Sequence, residues 1–186
     1  VRGDDRQIIS LTKNPLENSN LLGELFTAIS HRQVIELHYH RFVDNHTDLS
    51  VNVHPHLLKE YNRRWFLFAT AETDNKFLCF SLDRIDKVVT LPSHKYVDYE
   101  GDINEKFDDI IGVTINEESP VYKIVFWVSD VSKDYIATKP LHESQRNIYG
   151  QDEEQLRAKY PTLVSGRFFR IDCKENYELI RELMSF

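Results

Sequence analysis

The sequence predicts an α+β protein in two parts: one helix leading into a small five-stranded β-barrel, and then a βαββα unit. Three observations support this prediction. Apolar residues first recur at helical spacing, the period then changes to two from Ile35 onwards, and strand and helix patterns alternate again after an acidic stretch. A length of 186 residues allows one domain or two small ones, because about 150 residues is a usual domain length.

The first predicted element is a helix over about 20–31. Residues 1–19 are polar, show no clear period and predict a lead-in or linker. Asn20 is a residue type that often caps a helix, and apolar side chains follow it at spacings of three and four, namely Leu22, Leu25, Phe26 and Ile29.

Five short strands are predicted next. In the first, Ile35, Leu37 and Tyr39 alternate with polar residues, as in a half-buried strand. Turn-forming residues separate the others, expected at Leu49–Leu58, Arg64–Ala69, Phe77–Leu82 and Ile85–Leu91. The third strand is apolar on both faces, which indicates core on one side and a covering element on the other. A helix followed by five short strands favours a small barrel, here assigned to residues 20–97.

The second part follows an acidic connector over 98–119. Eight acidic residues and one lysine lie between Asp98 and Glu118. Beyond them, strand patterns occur at Val121–Ser129, Ser144–Tyr149 and Arg167–Cys173, with a short helix at Asp130–Thr138 and a final helix near the end of the chain. This order over 120–186 is most of a ferredoxin-like unit, and we expect its last strand to be absent or supplied elsewhere.

Composition narrows the class of protein. Hydrophobic residues make up 41% and charged residues 28%, which is typical of a folded domain. A net charge of −7 excludes a uniformly basic nucleic-acid binder but not a local basic patch.

The cysteine content indicates the compartment. The chain has two cysteines, which do not form a paired motif, and this is typical of a protein in a reducing cytoplasm. No apolar run approaches the roughly 20 residues of a membrane span. The chain does not begin with Met, so we expect a piece of a longer protein.

The histidines offer one candidate site. Six of the eight lie between His31 and His56. The pairs His38/His40 and His54/His56 each have a spacing of two, which puts both members of a pair on one strand face. Four imidazoles on adjoining strands could coordinate zinc or iron. The alternative is exposed strand histidines, one or two of which bind an anion.

A second candidate site combines basic and aromatic residues near strand ends. Arginine forks and lysine charges suit phosphate oxygens, and aromatic faces suit bases. The alternative is a solvated basic surface with the tryptophan in the core. We find no nucleophile elbow, paired carboxylates or glycine-rich phosphate loop, so we expect no enzyme and no cofactor. The candidate ligand-binding residues are Tyr39, Arg41, His54, His56, Lys59, Arg63, Arg64, Trp65 and Arg84.

These residues lie in a stretch that resembles the WYL-domain proteins, which are named for a Trp-Tyr-Leu triplet. The resemblance rests on Val53–Leu67, where the triplet is Trp65-Phe66-Leu67, and on Phe80–Ile85, with Ile35–Tyr39 similar to the family's first strand. It covers about residues 20–92. Residues 110–186 resemble, more loosely, the extension that commonly follows a WYL domain.

The resemblance implies an Sm-like, SH3-type barrel followed by a ferredoxin-like domain. It also implies a bacterial transcriptional regulator that is expected to form a homodimer and to contact operator DNA only through a winged helix-turn-helix absent from this chain. The family's polar pocket positions fall on Tyr39, His54, Lys59, Arg64, Trp65 and Arg84. Phe66 replaces the usual tyrosine and lacks its hydroxyl, and His56 stands where an aromatic residue is common.

Three hypotheses follow. The first is an effector-sensing region of a cytoplasmic regulator, with single-stranded DNA, RNA or a nucleotide bound by the basic and aromatic residues. The second is a metal sensor or metal-dependent enzyme built on His38, His40, His54 and His56. The third is a dimerisation module that has no ligand.

Overall fold

The computed structural model describes residues 19–40 and 49–185. They form two compact units, the first ending at Asp98 and the second beginning at Tyr99. The predicted lead-in before Ser19 and the candidate residue Arg41 lie outside the described residues. Within that part of the chain, no helix has both the length and the apolar character needed to cross a membrane.

The predicted helix and five strands of the first unit are confirmed. Helix α1 is followed by a single antiparallel sheet in the order β4-β3-β2-β1-β5. A 3₁₀ helix, Leu82–Arg84, joins β4 to β5. The bounds are α1 (Ser19–Ser30), β1 (Ile35–Tyr39), β2 (Leu49–Tyr61), β3 (Arg64–Ala71), β4 (Phe77–Ser81) and β5 (Ile85–Thr90).

The predicted closure into a barrel is not found. β4 and β5 are the two outer strands of the sheet, and no ladder joins them among the described residues. Each of the two has a ladder on one side, β4 with β3 and β5 with β1, and the chain passes between them through the 3₁₀ helix Leu82–Arg84. The structure therefore establishes an α+β fold with an open antiparallel sheet.

Both faces of the first sheet are covered. On one face, Leu37 and Leu67 are fully buried in a core that includes Leu25 of α1. We call this the helix face. On the opposite face, Phe68 is fully buried and stacks on Phe77, with ring centroids 5.8 Å apart. This arrangement confirms the two-faced apolar character predicted for β3.

A β-bulge at His56 changes which residues of β2 face α1. Pro55 pairs with Ala69, whereas Leu57 pairs with Phe68. The bulge leaves His56 between these pairs, and it also accommodates Pro55, which has no N–H to give to a ladder. As a result, Lys59 beyond the bulge lies on the same face of the sheet as His54 before it.

The second unit is a three-stranded antiparallel sheet in the order β6-β8-β7, accompanied by three α-helices and the 3₁₀ helix Ile103–Phe107. Ile171 and Cys173 of β8 and Leu179 of α4 pack in its core, and Ile111 of the acidic connector joins them. The bounds are β6 (Val121–Val128), α2 (Lys133–Thr138), β7 (Arg146–Asn147), α3 (Gly150–Lys159), β8 (Arg167–Lys174) and α4 (Tyr177–Leu183).

Two features of the second unit differ from the predicted βαββα order. The strand expected at Ser144–Tyr149 is reduced to the two residues of β7. Helix α3 lies between β7 and β8 and was not predicted, because its sequence GQDEEQLRAK has no apolar stripe and none of its residues is buried. Periodicity detects only helices that bury one face.

Candidate functional site

The basic candidates gather at one end of the first sheet, which we call the arginine end: Lys59, Arg63, Arg64 and Arg84. The register places them there. Phe66 pairs with Lys59 on one side and with Ser81 on the other, and Ser81 leads directly into the 3₁₀ helix that contains Arg84. Arg63 and Arg64 come just before Phe66 along the chain.

Arg84 lies against the ring of Tyr39. Its guanidinium carbon is 4.8 Å from the ring centroid, a distance at which a cation is attracted to the aromatic face. Tyr39 is only 5% exposed and belongs to the core of the helix face. Burial raises the pKa of the Tyr39 phenol, and the charge of Arg84 opposes that rise. The buried Tyr39 ring therefore packs against the Arg84 guanidinium, and it does not offer an open surface on which a base could stack.

Arg64 is exposed and forms one ion pair within the described part of the chain. Its Nη1 lies 3.4 Å from Asp83 Oδ2, and 58% of the Arg64 side chain is exposed. An exposed pair at this distance contributes about 0–1 kcal/mol. Arg64 can therefore exchange Asp83 for another anion at little cost.

Arg63 occupies a strained position in the tight turn between β2 and β3. Asn62 and Arg63 have φ values of +50° and +64°, and Tyr61 pairs with Arg64 across the turn. A two-residue hairpin loop with both φ values positive is a type I′ turn. Asparagine accepts this conformation readily, but arginine does so at a cost. The turn therefore places a positively charged residue at a position where glycine would cost less conformational free energy.

The aromatic candidates of the triplet are covered by protein. Trp65 is partly buried and packs against the core of the helix face. Phe66 lies on the opposite face and is also partly buried. The structure does not place Trp65 as an open stacking platform.

His54 and His56 lie away from the arginine end, under the segment 91–98 that follows β5. His54 is 2% exposed. Its Nδ1 accepts a hydrogen bond of 3.3 Å from the Val97 N–H, so its proton is on Nε2 and the ring is neutral. Burial lowers the pKa of His54. His54 therefore has a structural role, in which it binds the backbone of Val97.

The His56 ring bridges two hydroxyl groups. The Tyr96 hydroxyl donates to the Pro55 carbonyl at 2.6 Å, so it accepts from His56 Nδ1 at 3.0 Å. The other ring nitrogen, Nε2, lies 2.8 Å from the Thr70 hydroxyl. Burial, reinforced by the neighbouring His54, lowers the pKa of His56 to about 4. His56 is therefore neutral near pH 7.

Further side chains hold the segment 91–98 in place. The His94 imidazole pairs with Glu72 at 2.7 Å. Asp98 pairs with Arg32, and the hydrogen bond from Arg32 lowers the pKa of the Asp98 carboxyl. Sequence reasoning missed Tyr96 and Glu72 because their partners are 20 or more residues away along the chain. No local pattern marks such contacts.

The four histidines of the metal hypothesis are not brought together. His38 lies 3.5 Å from Glu36 and His40 3.0 Å from Asp86, whereas His54 and His56 contact Tyr96. Across residues 19–40 and 49–185, no group of three or more His, Cys, Asp or Glu side chains could hold a metal ion. The register explains this, because His38 pairs with Ser50 rather than with a histidine.

Among solved structures, the chain is similar to proteasome accessory factor B/C (PafBC) of Arthrobacter aurescens, with 13% sequence identity and a TM-score of 0.41. The match covers 88% of this chain and 22% of that chain, so this chain spans about a fifth of that protein. No curated protein matches this chain.

A family model matches the first unit. The family is the WYL domain, and the match covers residues 20–90, from the second residue of α1 to the last residue of β5. It includes the arginine end, His54 and His56. We refer to residues 20–90 as the WYL domain of this chain, because they match that family's model.

Proposed function

We propose that this chain is the effector-sensing part of a transcriptional regulator and that its WYL domain binds single-stranded nucleic acid or a nucleotide. The observation that carries the proposal is the arginine end, where cationic residues of β2, β3 and the 3₁₀ helix lie near one end of the sheet. Guanidinium groups there can bind phosphate oxygens in a bidentate manner. The WYL family match supports a sensory role for the same unit.

Within this site the residues have different tasks. Arg64 makes the first phosphate contact, because its side chain is exposed and its pair with Asp83 is weak. Arg84 is a more rigid contact, since Tyr39 fixes its guanidinium. Lys59 and Arg63 add further positive charge to the same end of the sheet. His54 and His56 are assigned to the support of the segment 91–98, where their ring nitrogens have protein partners.

Effector binding has a regulatory consequence in this proposal. A homodimer would change between two arrangements when the ligand binds better to one of them. DNA-binding domains outside this chain would then gain or lose the spacing that an operator with two half-sites requires.

The test is a fluorescence-anisotropy titration with labelled dT12, the corresponding RNA and a duplex, each at two salt concentrations. We expect saturable binding of a single strand that weakens with salt, because phosphate contacts release counterions. Arg64→Gln should weaken binding about threefold to tenfold and reduce the salt slope by about 0.7. Lys76→Gln is the matched control, since it removes one charge beyond the opposite end of β3.

Flat titrations for all three probes, and no competition by unlabelled dinucleotides, would leave the ligand-free dimerisation module as the better description. Equal losses for Arg64→Gln and Lys76→Gln would show that only net charge matters, and would remove the arginine end as the site.

A further inference from the structure

The second unit contains a groove between its sheet and helix α3. The groove encloses about 600 Å³. Its floor is formed by Val125 of β6, Arg146 of β7 and Arg170 of β8, and its wall includes Leu156 and Lys159 of α3. It lies entirely within residues 125–170 and is separate from the WYL domain.

Neighbouring side chains fix the position of β7. The Gln145 side chain accepts from the Leu141 N–H at 3.0 Å and donates to the Ile136 carbonyl at 2.9 Å. The Ser144 hydroxyl lies between the N–H and the carbonyl of Asp172, at 2.9 and 3.1 Å. Arg146 therefore comes from a short strand that is held on both sides.

Two arginines face each other across the ladder. Arg146 of β7 pairs directly with Arg170 of β8, and directly opposite residues have β-carbons about 5 Å apart. Like charges in this position destabilise a sheet. Arg170 has a carboxylate contact to Asp172 at 3.1 Å. Arg146 has none among the described residues and donates only to the carbonyls of Glu143 and Gln145.

The local charge is opposite in sign to that of the whole protein. The chain has a formal net charge of −7. Three cations, Arg146, Arg170 and Lys159, line the groove, against Asp152 as its acidic residue. The exposed ring of Tyr149 lies at the same groove. An anion between the two arginines would remove their mutual repulsion.

We propose that this groove binds a phosphate-bearing ligand, with Arg146 and Arg170 gripping one phosphate group between them. Lys159 binds a second phosphate from the wall of the groove. The Tyr149 ring offers a face on which a base can stack. The shared chemistry is a succession of phosphate groups, whether in a free polyphosphate or in a short single-stranded oligonucleotide.

The experiment follows amide NMR signals of the full 186-residue chain during titration with inorganic pyrophosphate and, separately, with dT8. We expect saturable shifts in residues 146–159 and at Arg170. Arg146→Gln should raise the Kd at least fivefold. Lys139→Gln, which removes the same charge at the end of α2, should leave it unchanged. Lys159→Gln provides a second groove variant in case Arg146→Gln disturbs β7.

The two probes distinguish the two ligand sources. Groove shifts with pyrophosphate alone identify a free phosphate compound, and shifts with dT8 alone identify a nucleic acid. The absence of saturable groove shifts with both probes would overturn the proposal, and so would equal losses in Arg146→Gln, Lys159→Gln and Lys139→Gln. Arg64→Gln alters only the WYL domain, so failure at that site is visible separately.

Discussion

The guanidinium carbon of Arg84 lies 4.8 Å from the centroid of the Tyr39 ring, and that ring meets Phe80 edge-on with centroids 5.2 Å apart. A cation of the candidate site is thus connected to the core of the sheet through one aromatic side chain. Ligand binding at Arg84 and the stability of the first unit should therefore depend on each other.

This coupling can be measured by a double-mutant cycle with Arg84→Met and Tyr39→Leu. We expect a coupling energy of about 0.5–2 kcal/mol, because each change alone already removes the cation–π contact. Urea denaturation of the four proteins provides the free energies. Additive effects, within about 0.3 kcal/mol, would show that the two side chains only lie close together.

Arg63→Gly should stabilise the protein and weaken ligand binding at the same time. Glycine accepts the φ of +64° without strain, so we expect a gain of about 0.5–1 kcal/mol in unfolding free energy. Loss of the cation should weaken dT12 binding. Asn62→Gly at φ +50° is the control, with a smaller gain and unchanged binding. A destabilised Arg63→Gly protein would contradict the turn assignment.

Asp83→Asn should strengthen binding of an anionic ligand. The substitution removes the carboxylate that competes for Arg64 at 3.4 Å and repels phosphate. We expect the Kd for dT12 to fall about twofold to fivefold, since exposed pairs contribute at most about 1 kcal/mol. Anisotropy titration at low salt measures the change. Asp74→Asn, in the turn between β3 and β4, removes an equal charge and should have less effect.

Stability should fall between pH 6.5 and 4 because of His56. Its pKa is about 4 in the folded protein, against roughly 6.5 for an unfolded chain. In that window the unfolded state binds the proton, so the stabilisation present above pH 6.5 is lost as the pH falls. We expect a loss of about 1–2 kcal/mol, which allows for solvent screening of a ring that is not completely buried.

Urea denaturation at several pH values tests this expectation, with His56→Gln as the comparison. The variant should lose stability less steeply between pH 6.5 and 4. Identical slopes would exclude His56 as the titrating group.

Gly112→Ala should destabilise the second unit more than Gly101→Ala does. Both glycines have positive φ, +85° and +88°, so both substitutions carry the same backbone cost. At Gly112 an added Cβ would come within 2.6 Å of the Glu178 side chain, whereas nothing lies within 4 Å at Gly101. We expect about 1 kcal/mol for Gly101→Ala and about 2–4 kcal/mol for Gly112→Ala. Equal losses, measured by thermal denaturation, would contradict the close packing of Glu178.

The strands of the first unit were predictable because each buries at least one face. The alternation of apolar and polar residues along the chain reflects that burial. Ile35, Leu37 and Tyr39 alternate in sequence and are all buried. Helix α3 was not predictable for the same reason, since it buries none of its residues.

The candidate site was predictable in residue type but not in arrangement. A list of basic and aromatic residues does not say which face of a sheet each occupies, because one bulge changes the alternation. The bulge at His56 depends on the pairing of β2 with β3. It also puts His54 and Lys59 on one face of the sheet, although His54 and His56 lie under the segment 91–98, away from the arginine end.

The amino-acid sequence by itself determined the strands of the first unit, the first helix and the resemblance to the WYL domain, because these depend on local periodicity and short motifs. The tertiary structure decided which side chains meet. Arg84 on Tyr39, Tyr96 against His56 and Arg146 opposite Arg170 are pairs of residues at least 24 positions apart. Strand register and chain reversal bring such residues together, and neither is a local property of the sequence.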